Sequence, residues 1–310
     1  MRTTTVRRCR VCDGDELAVV FTCRDHLVSG VEFRILHCGR CGLRATDPIP
    51  PEEIIGRYYD SDDYLGLADK QPGVMNRVYH LARRIAARGR ARIAIASAPL
   101  RRGRILDVGC GTGEFLVHMH RRGWTVCGVE PLARARIAAQ GTPGVEVLDV
   151  AGFRALRERR FEVVTLWHAL EHVHDVDGYL AHIGGLLVDG GALVIACPNY
   201  ASFDAGYYGP SWYAYDPPRH LWHYRPETMR RQLANHGFAV RAMRAPRLDP
   251  FYIALLTERH APRGVPVLHP LLVGCRAMLA GAADVTRASA IVYVAYRADA
   301  PPLATGDRSE

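Results

Sequence analysis

The stretch "RILDVGCGTGEFLVHMHRRGW", residues 104–124, decides how this chain folds. Ile105 to Val108 is a short apolar strand, Gly109, Gly111 and Gly113 crowd the turn after it, and Phe115 to His120 reads as a helix. Glycines at a strand-to-helix turn let backbone amides approach a ligand at the positive end of a helix. Dinucleotide and phosphate sites share such a turn, so the residues beyond it carry the weight. "WTVCGVEP" (124–131) is a second strand ending at Glu130, a carboxylate placed to accept both hydroxyls of a ribose. "LARARIAAQ" is then a helix, and "VEVLDV" (145–150) is a third strand with Asp149 at its tip, where an acid meets a base's amino group. Alternating β and α with acids at successive strand tips indicates a nucleoside cofactor on a Rossmann-like, doubly wound α/β sheet.

"ILDVGCGTG" (105–113) resembles the first motif of class I S-adenosylmethionine-dependent methyltransferases. A dinucleotide fold prefers G-x-G-x-x-G, whereas the spacing here is G-x-G-x-G led by an acid. The resemblance spans roughly residues 101–199. It implies that Asp107 and the three glycines surround the methionine part of the cofactor, that Glu130 takes the ribose, and that Asp149 takes the adenine.

Further along, "FEVVTLWHALEHVHDVDGYL" (161–180) carries Val163, Val164, Leu166 and Trp167 on a β-rich run, a fourth strand. Helical periodicity begins only after Asp175, with Tyr179, Leu180, Ile183, Leu186 and Leu187 in phase and Asp175 or Asp177 as the cap. His168 to His172 spells H-x-x-E-H, a zinc-peptidase signature. A peptidase needs both histidines on one continuous helix, and this pattern puts His168 at a strand tip instead. "LWHALEHVHDVDGYL" resembles the fourth-motif region of a bacterial branch of the same enzymes, which implies that Trp167 and His168 border the cofactor and substrate pocket. A neutral imidazole there can remove a proton from an acceptor, making His168 and His172 candidate bases. The bland alternative packs His172 against the cofactor and leaves His174 in solvent.

"GALVIACPN" (191–199) is a fifth strand. The aromatic run after it, residues 200–238, has no helix or strand period and is expected to be a substrate lid. Within it "DPPRHLWHY" (216–224) resembles a D-x-P-R-H-L element of the same branch, implying that Asp216, Arg219 and His220 lie near the active site. Tyr213 joins them as a substrate contact, and His220 is a third candidate base. A helix from Pro226 and two last strands, "AVRAMRAP" and "ASAIVYVAYRA", complete the domain at residues 101–298. An apolar insertion at about 250–288 is expected to cover the substrate or to form a homodimer contact, and residues 299–310 are expected to be disordered.

Before that domain, Cys9-x-x-Cys12 and Cys38-x-x-Cys41 are paired thiolates with the spacing of a zinc ribbon, residues 1–47, whose closed four-cysteine site makes the metal structural. "LAVVFTC" and "VEFRIL" read as its strands, and its small core requires a metal staple. Residues 48–100 form a proline-rich linker and a helical lid. Enzymes of sugar and natural-product biosynthesis resemble this combination, in which Tyr59 and Tyr64 of "RYYDSDDYLG" would close over the cofactor.

Composition limits the alternatives. The net charge is +8, yet Lys70 is the one lysine and the arginines are scattered, so the charge favours an anionic partner only weakly. No secretory signal and no membrane span are evident, and dispersed cysteines suit a reducing cytoplasm. The leading expectation is methyl transfer from S-adenosylmethionine to a small-molecule acceptor, a sugar or specialised metabolite, at oxygen, nitrogen or carbon. A second reading is an rRNA or tRNA base methyltransferase that uses the ribbon on RNA, with nucleic acid as the lesser partner. A third is a non-methylating cyclase or a cofactor-sensing protein.

Overall fold

The structure is a computed structural model, and it describes residues 4–59 and 74–299, with side chains omitted for 74–84. Tyr64 and residues 300–310 lie outside the described residues. The strands are β1 (Leu17–Arg24), β2 (Glu32–Cys38), β3 (Arg44–Asp47), β4 (Arg104–Val108), β5 (Thr125–Val129), β6 (Val145–Leu148), β7 (Phe161–Trp167), β8 (Leu187–Pro198), β9 (Trp222–His223), β10 (Phe238–Arg244) and β11 (Ala290–Arg297). Seven of them make one sheet in the order β10-β11-β8-β7-β4-β5-β6. From β6 to β8 neighbours run parallel, and β11 runs antiparallel to both β8 and β10. Helices cover both faces, which is why β7 is buried at all seven positions and reads as an unbroken apolar run with only Glu162 and Thr165 polar. The chain order reverses at β4, where β5 lies on one side and β7 on the other, the switch point at whose carboxyl edge open α/β sheets bind ligands.

Local sequence explains the crossovers. Asp149 caps the helix Val150–Ala155 by accepting from the Gly152 amide, and Asp175 caps the helix Val176–Leu186 through the Gly178 amide. Glu162 is structural: its carboxylate accepts from the Arg104 amide and locks the start of β4 to β7. The helix Val74–Ser97 lays Ala91 and Ala94 against Phe115, Trp167 and the sheet.

The ribbon's sheet has the order β1-β2-β3-β9 and borrows β9 from the aromatic run. Cys9, Val11, Cys38 and Cys41 share a hydrophobic core with Leu106, Leu166 and Trp222. Arg10 donates to the His174 carbonyl at 2.6 Å, pairs with Asp177 and stacks on Trp222, while Asn235 and Thr228 bond to the Val11 and Cys41 carbonyls. A module this short gains the apolar burial it lacks by sharing another core. The aromatic run, expected as a substrate lid, packs inward. Tyr200, Tyr208, Trp212 and Tyr215 are buried with Ile35 of the ribbon and with Ile253 and Val273 of the insertion, so the aromatics wedge three parts together.

The insertion itself is a pair of packed helices, Asp249–His260 and Leu268–Ala283, whose outer faces leave Tyr252, Leu255, Leu271, Leu272 and Leu279 exposed. Among the described residues no helix is long and apolar enough to cross a membrane.

Candidate functional site

At this edge the glycine turn has the backbone that glycine permits: φ is +79° at Gly109, +55° at Gly111 and +81° at Gly113. A Cβ on Gly109 would meet the Ala169 Cβ at 2.6 Å, whereas one on Gly111 would project into open space. Glu130, at the tip of β5, accepts from the Gly111 amide at 2.8 Å and the Leu132 amide at 2.9 Å, and burial raises its carboxyl above the usual range. Asp107 at the end of β4 takes the Thr165 hydroxyl at 2.6 Å, and burial pushes it up to about 7. Asp149 stands at the β6 tip, with one oxygen on the Gly152 amide at 2.7 Å. Trp167 closes β7, its ring edge-on to Phe115 and its buried Nε1 without a hydrogen-bond partner among the described residues. Open space at Gly111, an unpartnered indole N–H and two buried acids fit a bound nucleoside with a polar tail.

His168 leaves β7 with φ at +54°, an uncommon backbone for a non-glycine residue. The short 3₁₀ turn Leu170–His172 comes next, so His168 and His172 do not share a continuous helix. The Nε2 of His168 lies 3.2 Å from Asp249 and its Nδ1 lies 3.6 Å from Glu171. Burial works against the charged ring, but its pairing with those two carboxylates outweighs it and holds His168 up to about 9. The two carboxylates favour the charged ring of His168, which works against its use as a base. The same pairing, against burial, holds Glu171 down to about 2.

Beside them the rings of His172 and His220 meet edge to face, 4.6 Å apart. Burial, reinforced by His220, brings His172 down to about 4, so its ring is neutral. Its Nδ1 lies 3.0 Å from the Arg219 carbonyl and 2.9 Å from the Tyr59 hydroxyl. Arg219, expected at the substrate, is instead 1% exposed and fully engaged. Its guanidinium donates to Asp216 and to Asp25 of the ribbon and, at 2.9 Å, to the Tyr58 carbonyl. Asp216 fixes the Arg219 side chain, and the Arg219 backbone carbonyl stands behind His172. Tyr213 stacks on His260 at 6.0 Å and lines a small pocket with Cys23, His26 and Asp216. Three participants have no role that the sequence alone assigns: Asp249, Glu171 and Asp25. Glu171 stands within a motif, but Asp249 and Asp25 carry no local signal and are distant in the chain from their partners.

In the ribbon, Cys9 and Cys41 Sγ are 3.4 Å apart and Cys12 and Cys38 Sγ are 3.6 Å apart, too far for a disulfide at about 2.05 Å. All four sulfurs converge within 4.8 Å, and burial pushes the Cys9 thiol up and Cys41 up to about 11. Thiolates buried this way need a cation, and the set fits tetrahedral zinc.

The methyltransferase-domain family matches over residues 78–243. The ubiquinone biosynthesis O-methyltransferase of Rhodopseudomonas palustris (strain BisB18) is 29% identical over 148 residues, 44% of this chain and 58% of that protein. Its namesake from Paracidovorax citrulli (strain AAC00-1) is 34% identical over 111 residues, 33% of this chain and 46% of that protein. The chain thus spans about half the length of these relatives. Among solved structures, one from Galdieria sulphuraria assigned as a sarcosine dimethylglycine methyltransferase superposes with a TM-score of 0.50 at 10% identity, covering 75% of this chain and 90% of its own, a likeness of fold.

Proposed function

The chain belongs to the methyltransferase-domain family of class I S-adenosylmethionine-dependent enzymes, and from that premise we propose that it methylates a small-molecule acceptor bound between the β4–β5 tips and the His172–His220 pair. The observation that supports this is a run of contacts: Ala169, three residues before His172, lies against Gly109 of the glycine turn, and His172, its ring kept neutral by burial, meets His220 edge to face. When bound, S-adenosylmethionine supplies a methyl group already activated on a sulfonium, so the protein's work is mainly placement. Glu130 and Asp149 would hold the nucleoside, and Asp107 with Gly109, Gly111 and Gly113 would surround the amino-acid end. His172 or His220 would accept the acceptor's proton at Nε2, the ring nitrogen turned away from the backbone carbonyl that each faces. Tyr59 bonds to His172 and would close that side. The four cysteines would hold a structural zinc that fastens the ribbon.

Relatives named as O-methyltransferases support an oxygen acceptor, a sugar or specialised metabolite with a hydroxyl group. The RNA reading loses one of its few ribbon arginines, since Arg10 points inward to His174 and Asp177 rather than outward to a phosphate. Calorimetric titration of the zinc-loaded chain with S-adenosylmethionine tests the premise. Saturation near one per chain is expected, lost in an Asp107→Ala, Glu130→Ala double variant, and well-folded protein that binds none overturns the reading.

A further inference from the structure

The H-x-x-E-H stretch holds more chemistry than methyl transfer uses. Glu171 is 1% exposed, and its Oε1 accepts no hydrogen bond among the described residues. Among the described residues its Oε2 receives only the thiol of Cys197, at 3.3 Å. A carboxylate so deeply buried is normally saturated with donors, and His168 Nδ1, 3.6 Å from Oε1, stands beyond hydrogen-bond reach.

His172 and His220 are oriented from behind. The Nδ1 of His172 lies 3.0 Å from the Arg219 carbonyl, and that of His220 lies 2.8 Å from the Ala214 carbonyl. A carbonyl oxygen only accepts, so each Nδ1 carries the hydrogen and Nε2 is the ring atom left to bind a cation. Metal-ligating histidines are held in this way, with the far nitrogen donating to a carbonyl or carboxylate. One donor atom from each of Glu171, His172 and His220 lies within 4.8 Å of the others.

We propose that Glu171, His172 and His220 form a second metal site, for a divalent d-block cation, apart from the four cysteines. Two imidazoles and one carboxylate select zinc, cobalt or iron(II) over magnesium and calcium. Three protein ligands leave a position open, as in catalytic rather than structural centres. An acceptor oxygen seated there would be fixed beside the glycine turn, and the cation, by making that hydroxyl more acidic, would take the place of His172 or His220 as the means of deprotonation; this half of the inference rests on the methyl-transfer reading, whereas the metal site does not. The H-x-x-E-H residues thus hold a metal without a peptidase helix, with His220 from the aromatic run as third ligand in place of His168.

Cobalt(II) titration of the whole, metal-stripped and reduced chain tests the site. Two equivalents are expected: one with the strong near-ultraviolet thiolate-to-cobalt band, the other adding visible d–d absorption and no further thiolate band. Glu171→Gln and His220→Gln, each checked for fold by circular dichroism, should keep the first and lose the second. Saturation of the wild type at one equivalent overturns the site whether or not the variants fold, and so does a second equivalent that survives either substitution. Titration of the same preparation with S-adenosylmethionine separates the two readings. Cofactor binding with one cobalt sinks the metal site alone, and two cobalts without cofactor binding sink methyl transfer alone.

Discussion

His168 shows how far one residue's chemistry depends on its neighbours. Its position at a strand tip marks it as a candidate base, yet Asp249, brought from the insertion, favours its charged form. In Asp249→Asn the titration midpoint of the His168 ring should fall from about 9 towards 6.5, which histidine NMR reads directly. The raised folded-state value sets the sign for stability. The wild type's advantage over Asp249→Asn is fully present below about pH 6.5 and fades as the pH rises through about 9, seen as converging urea midpoints. An advantage that instead grows with pH contradicts the assignment. Gly109 and Gly111 make a second contrast. Both have positive φ, but only Gly109 lacks room, since its added Cβ would press on Ala169 at 2.6 Å. Gly111→Ala should cost the fold about 1–2 kcal/mol of left-handed strain while abolishing cofactor binding, because its methyl group enters the space read as the ligand's. Gly109→Ala should cost the fold more. Denaturant midpoints beside calorimetric titrations tell the two apart, and unchanged cofactor affinity in Gly111→Ala removes the turn from the site.

Among the elements, strands and helices behave as local chemistry dictates. Apolar runs without alternation became the parallel strands β4, β5 and β7, and helix starts fell at capping aspartates. Asp175→Ala should lower stability by about 0.5–2 kcal/mol, with Asp175→Asn recovering most of it. An equal loss in both would mean that the cap bond to Gly178 does not contribute. The aromatic run is where local reading failed. Its side chains have no period because they answer to three neighbours at once: the ribbon, the insertion and the sheet edge. Arg219 illustrates the same point. It joins ribbon and aromatic run in one buried ion cluster, so Asp25→Asn, which removes a charge partner from a buried guanidinium, should cost roughly 3–5 kcal/mol.

At the scale of the whole molecule, the shared core ties the ribbon's fate to that of the large domain. Chelation of metal from the ribbon should shift one cooperative unfolding transition downward in scanning calorimetry, whereas two separate transitions would show that the ribbon unfolds by itself. The doubly wound sheet, the glycine turn with Asp107 and Glu130 and the four-cysteine set were legible in the amino-acid order, because each is written in neighbouring residues: strand apolarity, turn glycines, paired thiols. The recruitment of β9 into the ribbon's sheet, the burial of Arg219 and the meeting of Glu171, His172 and His220 were decided only by tertiary structure. These depend on contacts across long stretches of chain, where packing and charge compensation select partners that no local period or spacing encodes.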